Sequence, residues 1–339
     1  MQTNVTDTTR QSNFECLRIV SMAMIVIHHF IVHGMGHLKG GEVGPIIANS
    51  FVIVGVNCFV LISGYFRIKL RWDAILKFWL LCVFYGAVNL VVSIFLGEDI
   101  TLKSIGSIFF ISKCQSWFFP AYFYVMLLSP LLNSLDRIKI KYVHVIVALL
   151  VLYDCAMRNS AGYSSLHLIV IYVIGVWLNR VDIINRITKS KSIISYFAIS
   201  ALLAVITVVG YKYIGVSTDR FWGYNSLLVI LASVAMFCFF GALTIKSRII
   251  NAVSASVVGV LFLQDVIFAD RLYGYIMSAY ESIGANLEFV LMLSMIFVLL
   301  FLVAFVIDSV RRFCSKRIIN IVGRFIPQML KFDLSKIGD

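Results

Sequence analysis

Residues 14–34 read FECLRIVSMAMIVIHHFIVHG, the first long apolar run in the chain. A helix needs about 20 apolar residues to cross the hydrocarbon core of a membrane, and this run has that length. Ionisable side chains within such a span are costly and therefore point to function. The stretch predicts a membrane-spanning helix with functional polar groups. Its ionisable residues are Glu15, Arg18, His28, His29 and His33.

The composition extends this prediction to the whole chain. Of its 339 residues, 60% are hydrophobic and 14% are charged, whereas soluble proteins carry roughly 25% charged residues. The remaining apolar runs predict an all-α, polytopic membrane helix bundle with about ten transmembrane helices. The predicted spans are residues 14–34, 45–66, 74–96, 115–134, 142–157, 164–179, 192–212, 223–244, 252–269 and 287–309.

The positions of the basic residues predict the orientation of the bundle. Short cytoplasmic connections carry an excess of Lys and Arg. With the amino terminus inside, 21 of the 29 basic residues fall on the cytoplasmic side, seven fall outside, and Arg18 lies within the first span. We therefore expect both termini in the cytoplasm. The net charge of +12 needs no nucleic acid to explain it.

The same pattern predicts the domain organisation and the location. We expect a transmembrane domain over residues 1–310, a basic amphipathic cytoplasmic tail over residues 311–339, and a multi-pass protein of the inner or plasma membrane. At the end of the fifth span, Asp154 is expected to pair with Arg158 at the outer surface. The scattered cysteines lack metal-ligand spacing, so no metal site is expected.

Arg18 and His29 lie on one face of the first helix. They are 11 positions apart, and at 100° per residue their directions differ by about 20°, with a rise of about 16 Å between them. His28 points about 100° away. One interpretation is that Arg18 extends to the inner headgroups while His29 makes a hydrogen bond inside the bundle. The other is that both face a shared site.

Several stretches resemble the membrane-bound acyltransferase-3 family. Arg18 and His29 form its R-x10-H pattern, and VGVNCFVLISGYF (54–66) is similar to its second span. Four further stretches resemble later spans of the family in order. They are SWFFPAYFYVMLLSPLLN (116–133), LHLIVIYVIGVWLN (166–179), YNSLLVILASVAMFCFF (224–240) and SASVVGVLFLQDVI (254–267).

The resemblance implies an acyltransferase that moves an acyl group, usually acetyl, from cytoplasmic acyl-CoA to a carbohydrate hydroxyl of an envelope, capsular or exopolysaccharide glycan. The acyl-CoA is then a co-substrate, and no bound cofactor is expected. His29 fits a general base, because the usual pKa of histidine is near neutrality; a covalent acyl-His29 intermediate is the second variant. Arg18 would hold the phosphate-bearing arm of the donor or the developing oxyanion.

Other residues are candidates for substrate binding. Arg67, Lys69 and Arg71 follow the second span and either bind CoA phosphates or mark the cytoplasmic side of the membrane. Ser63 and Tyr65 end that span in a Ser-Gly-Tyr sequence that also suits close helix packing.

Trp117, Gln264 and His28 complete the candidates. Trp117 is either an interfacial aromatic or a platform for a sugar ring. Gln264 stands where family members often carry His, and an amide cannot titrate near neutrality. A proton-transfer role at this position is therefore in doubt, and that role falls on His29.

Two readings of the chain other than an active enzyme are open from the residues alone. A transporter or flippase of sugars or lipid-linked intermediates could use Arg18 and His29 as a substrate or proton relay. Transporters often show inverted repeats and helices broken by Gly or Pro, and this chain has only four prolines and no visible repeat. A degenerate family member that serves as a scaffold is the third reading, because of Gln264.

Overall fold

The computed structural model describes residues 11–35, 43–157, 161–327 and 331–334. Every named element in these ranges is helical. Seven helical segments are long and apolar enough to cross a membrane, and two more are apolar but shorter. The described chain is thus an all-α bundle with the helices of a multi-pass membrane protein. Arg158 lies outside the described residues.

The first half of the chain supplies seven α-helices. The helix α1 continues through a π-helical turn, Phe30–Gly34, and α2 and α3 together form one candidate span, Val43–Phe66. The helices are α1 (Ser12–His29), α2 (Val43–Val52), α3 (Gly55–Phe66), α4 (Trp72–Phe95), α5 (Leu102–Ser107), α6 (Phe118–Asn133) and α7 (Ile140–Ala156).

The second half supplies eight more. Four of them begin after a Ser, Thr or Asn side chain that accepts a hydrogen bond from the first turn, as helix N-caps commonly do. A second π-helical turn, Leu263–Ile267, follows α13. The helices are α8 (Ser165–Arg180), α9 (Ile183–Arg186), α10 (Lys189–Ile214), α11 (Leu227–Gly241), α12 (Arg248–Ser254), α13 (Val257–Phe262), α14 (Ala269–Ile283) and α15 (Leu287–Phe325).

The helix α14 occupies a stretch that the sequence analysis treated as a connection between two spans. It packs against the end of the first span, where a Cβ added to Gly34 would lie 2.6 Å from Ile276. The side chain of Ile276 is fully buried. The helix α14 has 15 residues, fewer than the roughly 20 that a membrane span needs, so a search for spans overlooks it.

The last helix is longer than the predicted span. Residues 287–309 were expected to cross the membrane and residues 311–339 to form a separate tail, but α15 is continuous from Leu287 to Phe325. Asp308 is buried in the middle of this helix and binds Arg311 (2.6 Å) and Arg312 (3.2 Å). The position of the tail at the membrane surface stays a prediction.

The core of the bundle depends on close packing between α3 and α8. A Cβ added to Gly64 would lie 2.1 Å from the carbonyl oxygen of Tyr172, and one added to Gly175 would lie 2.6 Å from that of Leu61. Small residues allow helix backbones to approach in this way in membranes. The pair of glycines therefore holds α3 in contact with α8, one wall of the bundle.

The position of Asp154 corrects a prediction. The pattern of residues predicts Asp154 at the outer surface, paired with Arg158, but its side chain is only 1% exposed. Its Oδ2 lies 2.7 Å from Nδ1 of His167, and Nε2 of His167 lies 2.8 Å from the amide oxygen of Asn57. A buried carboxylate needs such a partner because its transfer from water is costly. Asp154 thus connects α7, α8 and α3.

Candidate active site

A cavity of about 310 Å³ lies between the first helix and the helices that face it. Arg18 and His29 both line it, so the face predicted from their spacing points into an open space inside the bundle. We call this space the inner cavity. Its polar lining residues include Glu15, Arg18, His29, Ser63, Tyr122 and Asp265.

At one end of the inner cavity, Arg18 is held by an acidic residue of its own helix. Nη1 of Arg18 lies 2.5 Å from Oε1 of Glu15, an i, i+3 ion pair. The other carboxylate oxygen of Glu15 accepts a hydrogen bond from the hydroxyl of Ser254, at the end of α12. The side chain of Glu15 is 8% exposed and that of Arg18 is 32% exposed. The guanidinium is therefore positioned but still reaches the cavity.

At the other end, His29 lies among aromatic side chains of α1 and α14. Its Nδ1 is 3.4 Å from the phenol oxygen of Tyr273. The ring of His33 lies 5.2 Å from the rings of both His29 and Tyr273. Burial raises the pKa of the Tyr273 phenol, so this group stays neutral at physiological pH. Tyr273 can therefore hold one nitrogen of His29 by a hydrogen bond.

His28 has a different environment from His29. Its Nδ1 donates to the amide oxygen of Asn49, 2.7 Å away in α2, and its side chain is buried. The structure places it away from the inner cavity, where it joins α1 to α2. Its part in substrate binding stays a prediction.

Two other predicted residues do line the inner cavity. The hydroxyl of Ser63 lies 2.9 Å from that of Tyr122. Among the described residues, no histidine or other base forms a hydrogen bond with Ser63 that could activate it as a nucleophile. Trp117 stacks on Tyr224 at 6.0 Å and packs edge-on against Tyr163 at 5.1 Å. Trp117 and Tyr224 line the cavity, so their stacked rings form an aromatic wall of it, and Tyr163 packs against both rings.

Tyr65 and Gln264 lie behind the walls of the cavity. The ring of Tyr65 packs between those of Phe14 (5.7 Å) and Phe237 (5.1 Å). Gln264 is fully buried in the second π-helical turn, and its amide has no hydrogen-bond partner among the described residues. Neither residue is brought to the inner cavity, so their substrate contacts stay predictions.

The basic residues after α3 lie elsewhere. Arg67 binds the amide oxygen of Asn179 (2.8 Å) and the carboxylate of Asp136 (2.7 Å). Arg71 binds Asp73 at 2.9 Å, and Lys69 is exposed. These contacts tie the connection to α6 and α8 and do not place the three residues in the inner cavity. Phosphate binding by them stays a prediction.

Sequence reasoning missed two residues of the site. Asp265 lines the inner cavity, and an acidic residue inside a predicted span is itself a signal for function. Tyr273 lies in α14, whose apolar residues recur at the helical period. Apolar residues at this period indicate a helix with one buried face, and they are Leu272, Tyr273, Ile276, Tyr280 and Ile283.

Comparison with known proteins gives one match. A family model described as an acyltransferase domain of the acyltransferase-3 type matches residues 11–309, which is most of the chain. No curated protein and no solved structure matches the chain. The match includes α1, with Arg18 and His29, and it favours the enzyme over the transporter reading. The chain belongs to the acyltransferase-3 family and is an acyltransferase.

Proposed function

We propose that the protein transfers an acetyl group from cytoplasmic acetyl-CoA to a hydroxyl of a cell-envelope, capsular or exopolysaccharide glycan. In this proposal about ten transmembrane helices cross the inner or plasma membrane, with both termini in the cytoplasm. The observation that carries the proposal is that Arg18 and His29, 11 positions apart, line one cavity inside the bundle. A donor and an acceptor could meet there away from bulk water.

His29 is the general base in this proposal. When Nδ1–H donates to the oxygen of Tyr273, the lone pair of Nε2 is left to accept a proton. The acceptor hydroxyl loses its proton to His29 as its oxygen attacks the thioester carbonyl. The tetrahedral intermediate then collapses, the C–S bond breaks, and the thiolate of CoA receives the proton from His29.

Arg18 stabilises charge next to this reaction. Its guanidinium presents several donors in a plane, which suits an oxyanion or a phosphate. The ion pair with Glu15 at 2.5 Å leaves part of that fork facing the cavity. Arg18 lies nearer than His29 to the start of the chain, and therefore nearer the proposed cytoplasmic side, from which the donor enters.

The acceptor sugar would bind beside the aromatic wall of the inner cavity. Trp117 and Tyr224 present aromatic rings to the cavity there, and such amphipathic rings suit a ligand with apolar faces and polar edges. Asp265 supplies a carboxylate that can accept hydrogen bonds from sugar hydroxyls.

The proposal is tested in two steps. Deletion of the gene followed by NMR of the surface polysaccharide should remove an O-acetyl signal, and the wild-type gene should restore it. The purified protein in lipid nanodiscs should then move radiolabelled acetyl from acetyl-CoA to the deacetylated glycan. A deletion strain whose glycans keep all their acetyl groups would contradict the proposed acceptor.

A further inference from the structure

A second and larger cavity, of about 970 Å³, lies beside the inner cavity. Its volume is within the range of small-molecule sites, about 300–1,000 Å³. Four basic residues line it, one from α4 and three from α15, and we call it the basic cavity. These residues are Lys77, Arg311, Arg312 and Lys316.

The arginines of the basic cavity are held by a buried acid. Asp308 is 1% exposed and accepts hydrogen bonds from Arg311 at 2.6 Å and from Tyr85 at 3.2 Å. Arg312 pairs with the same carboxylate at 3.2 Å. Because Tyr85 belongs to α4, these contacts hold α15 against α4. The two sides of the cavity are therefore kept at a constant separation.

The charge of the basic cavity favours an anion. Apart from the four cations, one carboxylate, Asp73, lines it, and this group is bound by Lys77 at 2.8 Å. The side chain of Lys77 is still 58% exposed, and Lys316 is also exposed. Lys and Arg arranged around a space of this size are typical of a site for phosphate groups.

The two cavities share a wall. Phe78, Leu81 and Ala255 line both of them, and Arg18 lies on the inner side of that wall. A ligand with phosphates at one end and a reactive group on a long, thin arm could therefore occupy both. CoA esters have this form: a nucleotide with three phosphates, a pantetheine arm and a terminal thioester.

We propose that the basic cavity binds the phosphate groups of the acyl donor, with Lys77 and Lys316 as direct contacts, while the pantetheine arm passes Phe78 and Leu81 to the inner cavity. This inference rests on the proposed acyl transfer. It places the phosphates at α4 and α15 rather than at Arg67, Lys69 and Arg71. Arg67 binds Asn179 and Asp136 instead, and Arg71 binds Asp73.

The test is binding of CoA, which carries the phosphates but no acyl group, to the full-length protein in nanodiscs of zwitterionic lipid. We expect Lys316→Gln and Lys77→Gln each to raise the Kd for CoA by about tenfold, and the double variant by more, because each removes a charge-assisted contact. Dephospho-CoA should bind the wild type more weakly than CoA.

The matched control is Arg317→Gln. Arg317 is next to Lys316, is exposed, lies over the ring of Phe313 at 4.3 Å and does not line the cavity among the described residues. Arg317→Gln removes one positive charge from the same helix as Lys316→Gln. Because Arg317 does not line the cavity, the Kd for CoA should stay within about twofold of the wild-type value. Thermal unfolding of every variant in the nanodisc checks the fold, and Lys316→Gln breaks no ion pair that the described residues show.

Two outcomes would overturn the inference. One is an unchanged Kd for CoA in the double variant. The other is that the double variant loses only its affinity for short-chain phosphatidylglycerol, which would make the basic cavity a site for lipid headgroups. His29→Ala separates this inference from the proposed function, since it should abolish transfer and leave CoA binding unchanged. Normal transfer by His29→Ala would refute the catalytic assignment without affecting the binding result.

Discussion

Arg18 and Glu15 form a tight ion pair in the wall of the inner cavity, with Nη1 and Oε1 2.5 Å apart. Because Ser254 of α12 also binds Glu15, the position of the guanidinium depends on a contact between two helices far apart in the sequence. The two charged groups are therefore expected to act as a unit.

Glu15→Gln should lower acyl transfer by about tenfold. The neutral amide no longer positions Arg18, and charged hydrogen bonds contribute about 1.5–3 kcal/mol each. Since the side chains act together, the double variant Glu15→Gln with Arg18→Gln should be little worse than Arg18→Gln alone. The measurement is the initial rate of acetyl transfer in nanodiscs. If the rate loss of the double variant equalled the product of the losses in the two single variants, the two residues would act independently.

Glu98→Gln is the matched control for that prediction. Glu98 is 52% exposed and pairs with Arg271 at 3.5 Å, and neither residue lines the inner cavity among the described residues. Exposed ion pairs contribute about 0–1 kcal/mol. The transfer rate should therefore remain within about twofold of wild type, which shows that removal of one surface charge is not enough to lower it.

Tyr273→Phe should lower kcat by about fivefold and leave the KM for the acyl donor unchanged. The change removes the hydroxyl that lies 3.4 Å from His29 but keeps the ring that packs on His33. One hydrogen bond is worth about 1 kcal/mol, which is about fivefold in rate.

Tyr275→Phe, two residues along the same helix, is the control for Tyr273→Phe. The side chain of Tyr275 is 60% exposed, so loss of its hydroxyl should change neither parameter. An equal effect of the two substitutions on kcat would show that α14 acts on the fold and not on His29.

Gly64→Ala should destabilise the protein by about 3 kcal/mol or more, at the upper end of the cost of overpacking. Its Cβ would lie 2.1 Å from a backbone oxygen of α8, which cannot rotate away as a side chain can. Thermal unfolding in detergent should show a transition lowered by several degrees.

Gly274→Ala is the matched control, because nothing lies within 4 Å of the added Cβ. Alanine favours a helix over glycine by about 1 kcal/mol, so this variant should be as stable as wild type or more so. Equal stability of the Gly64 and Gly274 variants would contradict the close packing of α3 against α8.

Much of the fold could be predicted from the sequence, because membrane spans follow from the length of apolar runs. The all-α membrane bundle and the resemblance to the acyltransferase-3 family are both confirmed. The face shared by Arg18 and His29 follows from helical geometry alone. The cavity that both residues line is formed with helices from distant parts of the chain, so it is known only from the structure.

Other parts of the site depend on contacts between distant segments. Lys316 reads as a marker of the cytoplasmic side, and only the position of α15 against α4 brings it to the same cavity as Lys77. Tyr273 reaches His29 because α14 packs against the end of the first span. The position of Gln264 in the family pattern predicts a site residue, yet its side chain is fully buried in the core.

The central claim is that His29 performs the chemistry in the inner cavity, and His29→Ala tests it most directly. We predict that acetyl transfer in nanodiscs falls by about 10²–10⁴-fold, the usual contribution of a general base, while CoA binds as before. His144→Ala is the control, since His144 is exposed and packs near Trp177 at 5.9 Å. Transfer by His29→Ala at a rate close to that of wild type would contradict the account.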